Sequence, residues 1–146
     1  MNIFIVDVDG VIADSRWRSE HALAKDWEKF HSLCGDDPPI EGICRVVRAL
    51  CKENVVILLT GRNESNRRAT EIWLGRQDIR VDEILMRPEG NFEPAEILKL
   101  KMIDEYFGSR EKALAEVSCI FEDSEKNTEA FRNCGFTVLQ NTPGIG

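Results

Sequence analysis

Two aspartates and a glycine stand together where the apolar run Ile3-Phe4-Ile5-Val6 ends, in Asp7-Val8-Asp9-Gly10-Val11. Ionised carboxylates this close, at the end of a buried strand, raise each other's pKa and resist desolvation unless a cation or a shared proton compensates them. A bound divalent metal is the economical compensation. Asp7 would supply an oxygen ligand, and Gly10 would let the backbone turn sharply enough for a main-chain carbonyl near Asp9 to face the ion. An N-terminal strand followed by an acidic turn has the same local sequence, so other segments must decide between the two.

Two further segments bear on that choice. Thr60-Gly61-Arg62 follows the apolar run from Val55 to Leu59, and Glu122-Asp123-Ser124 follows the run that begins at Val117. Carboxylates from the first and last of these segments could clamp one magnesium ion, while the Thr60 hydroxyl and the Arg62 guanidinium hold phosphate oxygens. Each piece alone has an ordinary structural use. Thr60 could cap a helix, Glu122-Asp123 could favour the start of the helix from Glu125, and Lys99 and Lys101 could be solvated charges. Complementary chemistry at the ends of separate strands favours a single metal and phosphate site.

The elements that must position these residues alternate along the chain. Strand signals recur at Ile3 to Val8, Val55 to Thr60, Ile84 to Met86, Val117 to Glu122 and Thr137 to Leu139. Between them, Ile43, Val46, Val47 and Leu50 trace an amphipathic helix entered through Pro38-Pro39. Ala69, Ile72 and Trp73 mark a second helix, Leu98, Met102, Ile103 and Tyr106 a third after Pro94, and a fourth runs from about Glu125 to Asn133 and closes at Gly135. This alternation predicts an α/β fold: a three-layer, Rossmann-like parallel sheet of about five strands with helices on both faces. Ligands of such sheets bind beyond the carboxyl ends of the strands, which is where the polar triplets fall.

At 146 residues the chain is expected to form one domain over 1–146. The segment at about 14–40, with Arg16, Trp17, Arg18, His21, Trp27 and Phe30, is expected to form a small helical flap with Trp27 and Phe30 packed on the sheet. A net charge of −7 argues against broad charge-driven attraction to nucleic acid, though not against a local basic pocket for one strand end or one nucleotide. Five cysteines without close pairing argue against zinc or redox chemistry, and the seven-residue spacing of Cys44 and Cys51 suits packing on one helix face. No apolar run is long enough to cross a bilayer, and Asp7 and Asp9 interrupt the place of a signal peptide, so an intracellular, cytoplasmic protein is expected.

With these residues in view, the chain resembles the haloacid dehalogenase (HAD) superfamily of phosphotransferases. Asp7-Val8-Asp9-Gly10-Val11 looks like its first motif, Val56-Ile57-Leu58-Leu59-Thr60 its second, a lysine on the helix after Pro94 its third, and Glu122-Asp123 its fourth. Within the superfamily the chain is most similar to the 3′-phosphatase domain of polynucleotide kinase and its small stand-alone bacterial and phage relatives. Arg18 lies nine residues after Asp9, where that group has a substrate-contacting arginine, and Thr60-Gly61-Arg62 resembles its Ser/Thr-Gly-Arg. Lys99 fits the third motif better than Lys101, because Met102 and Ile103 follow it at the family's apolar positions. Ala95 stands where an acidic residue often precedes that lysine, and the fourth motif opens with Glu122 in place of aspartate, which leaves the direct ligand role of Glu122 open.

The resemblance implies a magnesium-dependent phosphatase. Asp7 would attack phosphorus and form a phosphoaspartate, and Asp9, with a raised pKa, would protonate the leaving oxygen and then activate water. Asp7, the Asp9 carbonyl and Asp123 would bind Mg2+, Thr60 and Lys99 would hold the transferred group, and Arg18, Gly61 and Arg62 would contact a polynucleotide 3′-phosphate. Two other functions fit the same residues: a 5′-deoxyribonucleotidase or small-metabolite phosphatase, and a catalytically silent module that binds nucleotides or nucleic acid.

Overall fold

The computed structural model describes residues 1–142. Its five strands, β1 (Ile3–Val6), β2 (Val55–Asn63), β3 (Glu83–Arg87), β4 (Val117–Glu122) and β5 (Val138–Gln140), form one sheet in the order β3-β2-β1-β4-β5, with every neighbouring pair parallel. The three central strands are built on apolar runs, Ile3–Val6, Val55 to Leu59 and Cys119 to Phe121, because both of their faces are covered, as a parallel sheet requires. Alternate side chains feed separate cores. Val6, Val56 and Leu58 pack with Cys44, Val47 and Trp73, while Ile5, Ile57 and Leu59 pack with Leu98, Ile103 and Phe131. Each such aliphatic side chain, fully buried, contributes about 1.5–3 kcal/mol.

Helices flank both faces. The first layer is α3 (Glu41–Glu53) and α4 (Arg67–Arg76), which supply Cys44 and Trp73. The second is α5 (Ala95–Phe107), α6 (Arg110–Glu116) and α7 (Glu125–Cys134). Local sequence sets their limits: Pro94 precedes α5, the Ser109 and Ser124 hydroxyls accept the Lys112 and Asn127 amides at the starts of α6 and α7, and Gly108 and Gly135 stop α5 and α7 in left-handed conformations at φ 94° and 103°. Cys44 and Cys51 lie in one core, as their spacing suggested, and burial pushes the Cys44 thiol up to about 11, away from reactivity.

The strand limits differ from the sequence expectation at the two places that matter for chemistry. Strand β1 ends at Val6, so Asp7 and Val8 lead into the turn, where the Val11, Ile12 and Ala13 amides all donate to the Val8 carbonyl. Strand β2 continues three residues past Thr60, with a register shift against β3 between Thr60 and Asn63. Gly61 and Arg62 therefore ride on the strand, and Asn63, not Thr60, caps the 3-10 turn at Glu64–Asn66 by accepting the Ser65 amide. The connection from β1 to α3 carries two short helices, α1 (Ser19–Leu23) and α2 (Trp27–Ser32), between 3-10 turns at Arg16–Arg18 and Cys34–Asp36. Trp27 does not pack on the sheet as expected. It is 54% exposed, because α2 is fastened through the Arg18 bond to the Phe30 carbonyl and not by burying its tryptophan. Among the described residues, no helix is long and apolar enough to cross a membrane.

Candidate active site

Strand order places the site. Chain connections leave β1 toward β2 on one side and return to β4 on the other, so a crevice opens beyond the carboxyl ends of β1 and β4. Asp7 follows β1 there, its amide donating to the Phe121 carbonyl of β4 at 2.9 Å, and Glu122 and Asp123 close β4. One carboxylate oxygen each from Asp7, Glu122 and Asp123 can be chosen so that all lie within 4.8 Å of one another. Gly10 makes this approach possible. At φ 79° it occupies a region that other residues enter at a cost, and a Cβ on it would stand 2.0 Å from Asp123 Oδ2. Asn141 and Gln140, just after and within β5, hold the same loops by donating to the Gly10 and Asp123 carbonyls.

One ammonium serves these three acids. Lys99 of α5 is buried, with Nζ 3.1 Å from Asp7 Oδ1 and 2.8 Å from Glu122 Oε2, whereas Lys101 is exposed and pairs with Glu93 at the surface. Glu122 also accepts the Asp123 and Ser124 amides, which leaves Asp123 as the carboxylate with fewer protein partners. Titration tendencies follow the crowding. Burial, then the charges of Glu122 and Asp123, push the Asp7 carboxyl well above the usual range in spite of Lys99. Burial and the bond to Glu122 raise Asp123 to about 6, while Lys99 overrides burial at Glu122 and holds it at about 2. Three carboxylates against one ammonium are short of positive charge by the amount that one divalent cation carries, so the oxygen donor set and its charge fit such an ion.

Asp9, Arg18 and Arg62 form a second cluster beside the first. Arg62 Nη2 and Arg18 Nη2 each lie 2.8 Å from Asp9 Oδ1, and both guanidinium groups also bind Asp37, whose side chain is fully buried. Arg18 further donates to the Phe30 carbonyl, and Arg62 to the Thr70 hydroxyl. Both arginines are buried at 0% and 1% exposure. Most donors of each fork are thus engaged inside the protein among the described residues. The Asp9 carboxyl is the opposite of the sequence expectation: burial raises it, but the charge and hydrogen bonds of Arg62, with the charge of Arg18, outweigh burial and lower it.

Thr60 lies on β2 two residues beyond Leu58, the partner of Val6, so it is at the same sheet edge, fully buried, with its hydroxyl accepting the Arg62 amide. The Gly61 carbonyl accepts from Arg87 Nε at 3.0 Å. Asp37 and Glu122 are the residues that sequence reasoning missed or left open. The Asp37-Pro38-Pro39 string reads as a turn, and the only signal for Asp37 was an acid within reach of a flap that already carried Arg16 and Arg18.

Over residues 1–145 the chain matches the family described as polynucleotide kinase PNKP phosphatase domain. Among solved structures it is similar to a chain of the Pnkp1/Rnl/Hen1 complex, with 21% identity and a TM-score of 0.81 over 99% of this chain and 47% of that one. It is also similar to a haloacid dehalogenase-like hydrolase from Streptococcus pneumoniae, with 12% identity, a TM-score of 0.70 and coverage of 100% and 87%. A HAD enzyme from Bacteroides thetaiotaomicron, solved with magnesium and inorganic phosphate, aligns with 14% identity, a TM-score of 0.56 and coverage of 100% and 96%. No curated protein gives a significant sequence match. The chain spans less than half the length of the chain it matches in the Pnkp1/Rnl/Hen1 complex. With the match running over nearly its whole length, the chain belongs to the polynucleotide kinase phosphatase-domain family of the haloacid dehalogenase superfamily.

Proposed function

We propose that the protein is a magnesium-dependent phosphomonoester hydrolase that acts through a phosphoaspartate on Asp7, with a polynucleotide 3′-phosphate as its substrate and residues 14–40 as a flap on a single catalytic domain. The observation that carries this reading is the meeting of the Asp7, Glu122 and Asp123 carboxylates, the first two of them paired with the ammonium of Lys99. Asp7, Asp123 and the Asp9 carbonyl would hold the ion, which when bound supplies positive charge to the oxygens of the transferred group.

In this reading an Asp7 oxygen attacks phosphorus as the bond to the ester oxygen breaks, giving a phosphoaspartate and the free alcohol. Water then attacks the same phosphorus, releasing inorganic phosphate and restoring the Asp7 carboxylate. Lys99 and Thr60 hold the remaining phosphoryl oxygens. Asp9 is ionised in the free protein, which suits it to activate water in the second step. For the first step it must carry a proton, and the negative charge of the bound phosphate supplies the upward push that Arg18 and Arg62 otherwise cancel. Arg18 and Arg62 then act mainly by setting the charge and orientation of Asp9, and any phosphate contact uses the donors left to them.

The family description and the similarity to a chain in an RNA repair complex support a nucleic-acid end as substrate. Incubation with magnesium and each of three substrates tests the choice: a 3′-phosphorylated oligonucleotide, a deoxynucleoside 5′-monophosphate and an aryl phosphate. The oligonucleotide is expected to have the highest kcat/KM. Preference for the monophosphate would replace this reading with a 5′-deoxyribonucleotidase.

Gly10→Ala tests the metal site. Its new Cβ would force the Asp123 carboxylate aside. The magnesium concentration for half-maximal turnover is expected to rise about tenfold or more, in the range seen when groups that orient metal ligands are changed. An unchanged magnesium titration would remove Asp123 from the ion's ligand set.

A further inference from the structure

The aromatic side chains of the flap are joined to the site by a chain of contacts. Arg18 bonds Asp9 at 2.8 Å, and its guanidinium carbon lies 4.3 Å from the centre of the Phe30 ring. Phe30 meets Trp27 edge-on at 5.9 Å and His31 at 5.2 Å, and Trp27 stacks on His31 at 6.3 Å with 28° between the planes. The cluster therefore begins at the carboxylate beside the proposed nucleophile and ends in a tryptophan that is 54% exposed. Burial and the charge of Arg18 lower the His31 pKa, which keeps its ring neutral near pH 7 and suited to stacking. Its Nδ1 is buried and has no hydrogen-bond partner among the described residues.

A second exposed ring stands at the same sheet edge. Phe92, 94% exposed, lies in the loop between β3 and α5, and that loop is tied to the site because Arg87 donates to the carbonyls of Gly61, Asn91 and Glu93. Exposed aromatic rings thus occur on the two segments that leave the carboxyl ends of β1 and β3. Broad electrostatic attraction does not supply the affinity for a strand here. The chain carries a net charge of −7, and Arg18 and Arg62 are matched by Asp9 and Asp37. Stacking on aromatic side chains is the other general source of affinity for single strands.

We infer that Trp27, backed by Phe30 and His31, is a stacking subsite for the nucleobase of the terminal nucleotide whose phosphate enters the Asp7 site, with Phe92 available to a neighbouring base. This inference rests on the proposed reaction at a polynucleotide end and names what recognises that end. It makes the protein a reader of bases as ring faces, tolerant of sequence and selective for single-stranded ends over small phosphate esters.

The test compares two 3′-phosphorylated oligonucleotides of one length, one with a normal terminal nucleotide and one whose terminal sugar lacks its base. Charge and phosphate are the same in both. For the wild type, kcat/KM is expected to favour the base-bearing end by about tenfold or more, and Trp27→Ala should bring that ratio close to one, the scale of a lost base-aromatic stack. Trp27→Phe, which keeps a ring, should retain most of the preference. Binding of the base-bearing strand should also quench tryptophan fluorescence more than the abasic strand does, and Trp27→Phe should remove the difference. A ratio near one in the wild type, or a ratio unchanged in Trp27→Ala, would overturn the subsite. If the wild type hydrolyses neither strand, the proposed reaction is wrong, and the quenching comparison still decides on stacking.

Discussion

Asp7→Asn is expected to lower kcat/KM by about four orders of magnitude or more, the scale of removing a catalytic nucleophile. The amide cannot form the acyl phosphate, yet it has nearly the same volume and keeps a carbonyl oxygen that can accept the Val8 amide and the Lys99 ammonium, as Asp7 Oδ1 does. Lys99 also keeps its 2.8 Å pairing with Glu122. Removing one charge from a crowded acidic cluster relieves repulsion, so the variant should unfold at the same denaturant concentration as the wild type or a higher one. Kinetics on the purified variant, together with a urea unfolding curve, read both effects. Retained hydrolysis by a folded Asp7→Asn protein would remove Asp7 as the nucleophile.

Asp37→Asn should instead damage the fold. The Asp37 carboxylate is fully buried and accepts from Arg18 Nε, from one Nη2 of each arginine and from Trp17 Nε1. Its neutral replacement leaves two buried guanidinium groups facing Asp9 alone. Breaking a buried ion network by removing one partner costs about 3–5 kcal/mol, because the other charge stays desolvated without compensation. A urea midpoint lowered to match, with an unchanged m-value, is the expected result. The same variant leaves both arginines to Asp9, which deepens the depression of its pKa and should slow leaving-group protonation beyond what the loss of folded protein explains. A midpoint within experimental error of the wild type would show that Asp37 is not needed to hold the pair.

The parts of the molecule that were legible in the sequence are those whose physics is local. Buried parallel strands are apolar on both faces, so Ile3–Val6, Val56–Leu59 and Val117–Phe121 stand out as runs, and capping residues such as Pro94, Ser124 and Gly135 mark helix limits. Helix α6 was not legible, because seven residues with Ala113 as the only buried one give too little periodicity. The run of β2 through Gly61 and Arg62 was hidden for another reason: Gly after Thr reads as a turn, and the strand resumes its pairing with β3 only at Asn63, after a register shift that local sequence does not announce.

Within the site, the carboxylates and Lys99 could be found because residue type and position at a strand end or on one helix limit what they can do. The partners of Arg18 and Arg62 could not. Their guanidinium groups fit phosphate or carboxylate equally well, and the acid that occupies them, Asp37, comes from a loop 25 residues before Arg62. The pKa of Asp9 was misread as a direct consequence. Counting the arginines toward the substrate leaves Asp9 next to negative charge, whereas counting them toward Asp9 reverses the sign.

The reaction at Asp7 is tested most directly by trapping. The protein is mixed with magnesium and excess 3′-phosphorylated oligonucleotide, quenched in acid during turnover, and digested for mass analysis of the phosphorylated peptide. The expected result is a phosphoryl group on the N-terminal peptide, lost on treatment with hydroxylamine as an acyl phosphate is, and located at Asp7. Product formation with the phosphoryl group on another side chain, or with none on Asp7 at any quench time, would contradict the proposal that Asp7 carries the phosphoryl group.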